Sequence, residues 1–129
     1  MDILSISSSA LKAERIRMQT IAENIANMNT TRTEGEIAPY CRKEVVFQEV
    51  YKKSLSGVEA TEVLQDSAPF VKMHKPGHPD ADKDGYVLKP NVDLHFEMVD
   101  LISASRSYQA NLVAMKLSKD MIQKTLNMG

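Results

Sequence analysis

The chain has 129 residues, enough for one domain with a modest core or for long helices carrying an inserted module. Its formal net charge is −1, with acids and bases interspersed along the whole length, so no basic footprint supports binding to nucleic acid or to an anionic membrane. Aromatic content is 5%, Trp is absent and Met numbers 8, a composition that suits helix seams better than an aromatic-lined pocket for a small-molecule substrate.

The opening "MDILSISSSALKAERIRM" lacks a basic n-region, an uninterrupted apolar run and a small-residue cleavage site, and nothing later approaches a membrane-spanning run. We therefore expect no general secretory signal and no membrane helix. Leu4, Leu11, Met18 and Ile25 recur every seven residues, and Ile21 and Met28 follow the last two by three, which predicts a helix with a heptad-like seam. Ser7 and Glu14 interrupt that seam toward the front, so the helix is expected chiefly over 8–28. It should end in "NMNTTRTEGE", where Asn and Thr compete for backbone hydrogen bonds and Gly35 is a breaker.

The middle has a different character. "YCRKEVVFQEV" (Tyr40 to Val50), "GVEATEVLQ" (Gly57 to Gln65) and "FVKMH" (Phe70 to His74) each read as a short strand, and "YKKSLSG" reads as a hairpin connection. The basic pairs Arg42-Lys43 and Lys52-Lys53, set beside Glu44 and Glu49, read as a solvated strand face. Cys41 is the only cysteine, which excludes an intrachain disulfide and leaves a structural thiol as the preferred reading.

"HPDADKDGYV" then places Asp80, Asp82 and Asp84 at alternate positions before Gly85, as an EF-hand calcium loop opens. The remaining positions disagree. The twelfth is Asn91 where a bidentate Glu belongs, the ninth is Leu88, the fourth is Lys83, and Pro76, Gly77 and Pro79 break any entering helix. An acidic Asp/Gly turn is preferred over a calcium site, and no metal or other cofactor is expected.

In the last forty residues Leu94, Leu101, Tyr108, Met115 and Ile122 form one heptad row, with Met98, Ser105, Leu112, Lys119 and Leu126 interleaved. Asp93 is placed to cap a helix that runs on to Asn127, roughly 50 Å in length at the α-helical rise. A second apolar line, Val99, Ile102, Val113, Leu117 and Met121 with Ala110 and Ala114, is more than one shorter partner helix can cover, and it predicts a protein interface. The expected fold is mainly α with a small β insert. Residues 1–34 and 92–129 form long terminal helices packed as a coiled-coil-like hairpin, and 35–91 form the β-rich insert with the Asp-rich loop.

No P-loop, GxGxxG, GxSxG or HExxH occurs, and Pro76 and Gly77 separate His74 from His78. Arg106, Tyr108 and Asn111 have no nucleophile or base beside them, so hydrogen bonding between packed helices is preferred over catalysis. The chain reads as a non-enzyme.

"ALKAERIRMQTIAENIANMNTTRT" (Ala10 to Thr33) resembles the N-terminal signature of bacterial flagellar rod, hook and hook-associated proteins, with its Ile-Ala-x-Asn-Ile-Ala-Asn core. "EMVDLISASRSYQANL" (Glu97 to Leu112) resembles their C-terminal signature, with Arg106, Tyr108, Ala110 and Asn111 matching Arg-x-Tyr-x-Ala-Asn. The short length, "NTTRT" followed by "PYCRKEVVF", and "PGHPDADKDGYVLKPNVD" are similar to the proximal rod members of that family.

The resemblance implies a structural, self-assembling subunit of the flagellar basal body. Its terminal helices would join other rod proteins and copies of itself in a tubular drive shaft that transmits torque, and its insert would make outer and lateral contacts. It would reach the periplasmic rod through the flagellar type III export apparatus, without signal cleavage. Seam and signature together point to an assembly interface of Leu11, Met18, Ile21, Asn24, Ile25 and Asn27 from the first helix. The second helix would contribute Leu94, Met98, Leu101, Ile102, Arg106, Tyr108, Asn111, Leu112, Met115 and Ile122. The alternative is a soluble helical adaptor that docks one partner helix in its Met-rich seam.

Overall fold

The computed structural model describes residues 3–52 and 55–128. Two long helices frame the chain: α1, Ile3–Ala26, and α2, Leu94–Met128. Between them lie β1 (Lys43–Lys52), β2 (Leu55–Gln65), β3 (Val71–His74) and β4 (Tyr86–Lys89). The two-helix frame with a small β insert is the architecture the periodicity predicts, and no described helix is long and apolar enough to cross a membrane.

α1 starts earlier than its apolar seam requires and stops at Ala26, well before Gly35. Asn27 and Thr30 end it. The Asn27 side chain donates to the Glu23 carbonyl at 2.9 Å, and the Thr30 hydroxyl donates to Asn27 Oδ1 at 3.1 Å. Gly35 serves a different purpose: with φ of 53° at Glu34 and 79° at Gly35, the chain makes a tight reversal that pairs Thr33 with Glu36.

α2 begins as expected. Asp93 Oδ1 accepts the backbone N–H of His95 at 3.0 Å and lies 3.4 Å from that of Phe96, satisfying donors that have no partner inside the helix.

The two helices run antiparallel, but their contact is centred differently from the predicted seam. The enclosed positions of α1 are Ser7, Ala13, Thr20, Ile21 and Asn24, and those of α2 are Glu97 and Ala104. Leu4, Leu11, Met18 and Ile25 are half-buried beside that line rather than on it. Small side chains let the backbones approach, and a polar ladder crosses the contact. Arg17 lies 3.3 Å from Asp100 and 3.5 Å from Glu14, and Ser107 donates to Glu14 at 3.1 Å. With Asn24 against Glu97 and Glu14 against Ser107, the antiparallel register sets Ile3 opposite about residue 118. From Lys119 to Met128 every residue of α2 is exposed.

The insert holds two separate two-stranded hairpins, with one strand more than the three read from the sequence. β1 pairs with β2 from Lys43↔Gln65 to Lys52↔Leu55, so most of the stretch read as a connection is itself strand, and Lys53 and Ser54 lie outside the described residues. Val46 pairs with Glu62 and Phe47 with Ala60, leaving Thr61 as an extra residue that bulges β2. β3 pairs with β4 from Val71↔Lys89 to His74↔Tyr86. β4 was not expected. Its four residues carry a single inward side chain, Val87, too short a run for alternation to register.

Ala104 sits between the two polar crossings at Asp100 and Ser107 with no solvent exposure. Ala104→Leu should therefore force the helices apart and lower the unfolding free energy by about 1–3 kcal/mol. Urea denaturation followed by circular dichroism checks this.

Candidate assembly interface

The residues that tie the elements together cluster where the end of α1, the start of α2 and the start of β1 converge. Asn24, in the last turn of α1, is 1% exposed and uses its whole amide. Its Nδ2 donates to the Lys43 carbonyl at 2.9 Å and to Glu97 Oε2 at 3.4 Å, while its Oδ1 accepts the Lys43 N–H at 3.0 Å and the Tyr40 hydroxyl at 2.8 Å. The side chain thus pairs with the first residue of β1 much as a neighbouring strand would.

Glu97 is 0% exposed, and a carboxylate so placed needs a cation and further hydrogen bonds to be tolerated. Arg42 supplies the cation: its Nε donates to Glu97 Oε1, and its Nη1 reaches Glu44 at 2.6 Å and Asp66 at 3.1 Å. Burial opposes the charge on Arg42, but the hydrogen bonds to Glu97, Glu44 and Asp66 outweigh it, and the guanidinium holds its proton more firmly than usual. The backbone N–H of Arg42 donates to Asn91 at 2.8 Å, and the Asn91 amide donates to the Ala68 carbonyl at 3.0 Å.

Arg42 is a correction to the sequence reading. It is no solvated strand residue but the hub of an ion-pair network that reaches in to the buried Glu97. Lys43 stays nearer the surface, 2.7 Å from Glu23, and the side chains of Glu49, Lys52 and Lys53 lie outside the described residues. No local pattern distinguishes Arg42 from Lys43; only an acid brought from 55 positions away does so.

A second clamp fixes the Asp-rich loop. Asp80 is buried and accepts from the Thr31 hydroxyl and from Arg32 Nε, one partner on each carboxylate oxygen. The Thr31 hydrogen bond, helped by Arg32, holds the Asp80 carboxyl below the usual range against the effect of burial. Asp82 accepts the backbone N–H groups of Asp84 and Tyr86, both at 2.9 Å, as an Asx-type turn does. Gly85 has φ of 82°, and a Cβ there would meet Pro76 at 3.1 Å, so the loop needs this glycine. Asp80 anchors the β3–β4 turn and Asp82 builds it, with Asp84 contributing its backbone N–H. Cys41 is half-buried with Sγ 3.3 Å from the Asp66 carbonyl, in keeping with a structural thiol.

Of the residues expected at an assembly interface, Ile21 and Asn24 are buried within the chain. Leu11, Met18, Ile25, Asn27, Leu94, Leu101, Tyr108, Asn111, Leu112 and Met115 are half-buried, and Met98, Ile102, Arg106 and Ile122 are exposed. The helix-to-helix hydrogen bonds expected of Arg106 and Asn111 are not the ones formed. Arg106 faces outward, and the Asn111 amide donates to Ser107 of its own helix at 2.9 Å, while Arg17, Asp100, Glu14 and Ser107 carry the crossing.

The outer face of α2 also carries exposed apolar side chains. At 3.6 residues per turn, Val99, Ile102, Val113 and Leu117 lie roughly opposite Ala104, on the side away from α1, and each is more than half exposed.

Comparison with known proteins decides what this surface belongs to. Residues 4–32 match the family described as flagella basal body rod protein, and residues 83–128 match the flagellar basal body rod FlgEFG protein C-terminal family. The flagellar basal-body rod protein FlgC of Bacillus subtilis is 41% identical, over 98% of this chain and 95% of its own length. Those of Yersinia enterocolitica and Salmonella typhimurium are each 42% identical, over 100% of this chain and 97% of theirs. The chain belongs to the FlgC family of flagellar basal-body rod proteins. It is a structural subunit of the flagellar basal-body rod. The two family matches fall on α1 and on the stretch from the end of the Asp-rich loop through α2, so the rod signatures coincide with the helix hairpin.

Two outcomes follow from the network. Arg42→Met strands Glu97 without its cation and should cost about 3–5 kcal/mol of unfolding free energy, measurable by urea denaturation. Burial first, then the nearby Glu23, Cys41 and Glu97, push the Tyr40 hydroxyl up to about 12. A raised value means that the stabilisation is complete below the unfolded tyrosine value near 10 and is lost as pH climbs toward 12. The urea midpoint should fall across that window, and Tyr40→Phe should flatten the fall.

Proposed function

We propose that this rod subunit assembles through the outer face of α2, with the solvent-facing end of the same helix engaging neighbouring rod proteins and further copies of the chain. The observation that carries this reading is the apolar stripe of Val99, Ile102, Val113 and Leu117, exposed on a helix whose opposite face is already occupied by α1. Exposed apolar side chains lined up on one helix face of a subunit are an interface in waiting, because packing them against a neighbour removes them from water. The helix pair then contributes to the tubular core of the proximal rod, and the insert makes outer and lateral contacts.

Its contribution is mechanical: torque passes along packed helices, with no bond chemistry and no small-molecule substrate. The subunit travels through the flagellar type III export apparatus to the periplasmic rod.

Val113→Asp tests the interface without disturbing the lone chain, since the residue is 56% exposed. The purified variant should melt close to the parent, while cells relying on it should assemble no rods beyond this subunit and should not swim. Normal swimming would remove the outer stripe from the assembly contact.

A further inference from the structure

Both strands of the β1–β2 ribbon run against α1, but few of their described side chains supply apolar anchorage that would set its angle there. Val46, Phe47, Val63 and Leu64 are all exposed, and a two-stranded ribbon by itself is marginal in water. Apolar contact is also non-directional and would accept a range of angles.

The directional contacts lie at the ribbon's root. The planar guanidinium of Arg42 projects its N–H groups in fixed directions, and they meet carboxylates from three places: Glu97 on α2, Glu44 on β1 and Asp66 just after β2. Asn24 closes the same cluster from α1 by pairing with both backbone groups of Lys43 and with Glu97. A buried ion pair of this kind contributes little net stability compared with well-packed apolar side chains of the same volume, whereas breaking one partner away is costly.

We propose that Arg42 and Glu97 are positioning residues: together they set the angle between the β1–β2 ribbon and the helix hairpin, and hence the surface a single subunit offers to its neighbours. The pair specifies geometry; the stability of the chain does not depend on it once both charges are removed together. The consequence for neighbours rests on the rod assignment, but the positioning itself is a property of the isolated chain and is tested there.

The experiment uses the full chain with Cys41→Ser and spin labels at Gln48→Cys on β1 and Lys116→Cys on α2, two exposed positions, with distances read by pulsed electron resonance. The parent should give one narrow distance. Arg42→Met alone should lower the melting temperature, and Arg42→Met with Glu97→Met should bring it back to the parent's while the distance broadens or splits. Arg42→Lys keeps the charge without the fork and should remain folded with a broadened distance. A parent-like narrow distance in either the double variant or Arg42→Lys overturns the proposal. So does a double variant that stays as unstable as Arg42→Met or fails to fold, because the pair would then be a stability element.

Discussion

A carboxylate sealed from solvent in the first turn of α2 governs how the rest of the chain is arranged. Glu97 cannot remain charged there without a cation and hydrogen-bond donors, and the structure brings those donors from every direction: Arg42 from the start of β1 and Asn24 from the end of α1. The segment between α1 and β1 has to deliver Tyr40 and Arg42 to the same place, and the segment after β2 has to bring Asp66 close to Arg42 and Asn91. Each of these requirements fixes where a loop runs. One buried charge therefore constrains both helices and the insert at once.

Around that junction the rest of the chain is comparatively open. The helix contact is centred on small residues and a polar ladder, and many of the larger apolar side chains of α2 are left on the outside. Such a distribution makes sense for a component whose burial is completed by neighbours, since the apolar surface a lone subunit exposes is the surface assembly removes from water. A rigid junction and an unfinished exterior are complementary properties in a subunit of a shaft. The first keeps its parts aligned under load, and the second supplies the cohesion between subunits.

The Asp-rich loop follows the same logic on a smaller scale. Asp80 is held by Thr31 and Arg32, which lie just beyond α1, so the β3–β4 hairpin is fastened to the helix hairpin by a clamp separate from the Arg42 cluster. Asp82 and Gly85 shape the turn between the strands, and Asp80 is the residue of the three that reaches out to the rest of the fold.

Much of the architecture was legible in the order of residues. Heptad spacing of Leu, Ile and Met marks both long helices, Asp93 marks the start of α2, and the excess apolar line on that helix marks a surface left for partners, because periodicity and capping are local and repeat along the chain. The family signatures sit on those same helices. Tertiary structure alone decided which face of each helix meets the other, that the insert splits into two hairpins with β4 as an added strand, and that the Arg42 side chain is largely enclosed while that of Lys43 stays nearer the surface. Those outcomes depend on residues far apart in sequence, Arg42 with Glu97, Asn24 with Lys43, Thr31 with Asp80. A pair that occurs once has no period to betray it, and whether an arginine is solvated or enclosed is settled by the acid that folding sets beside it.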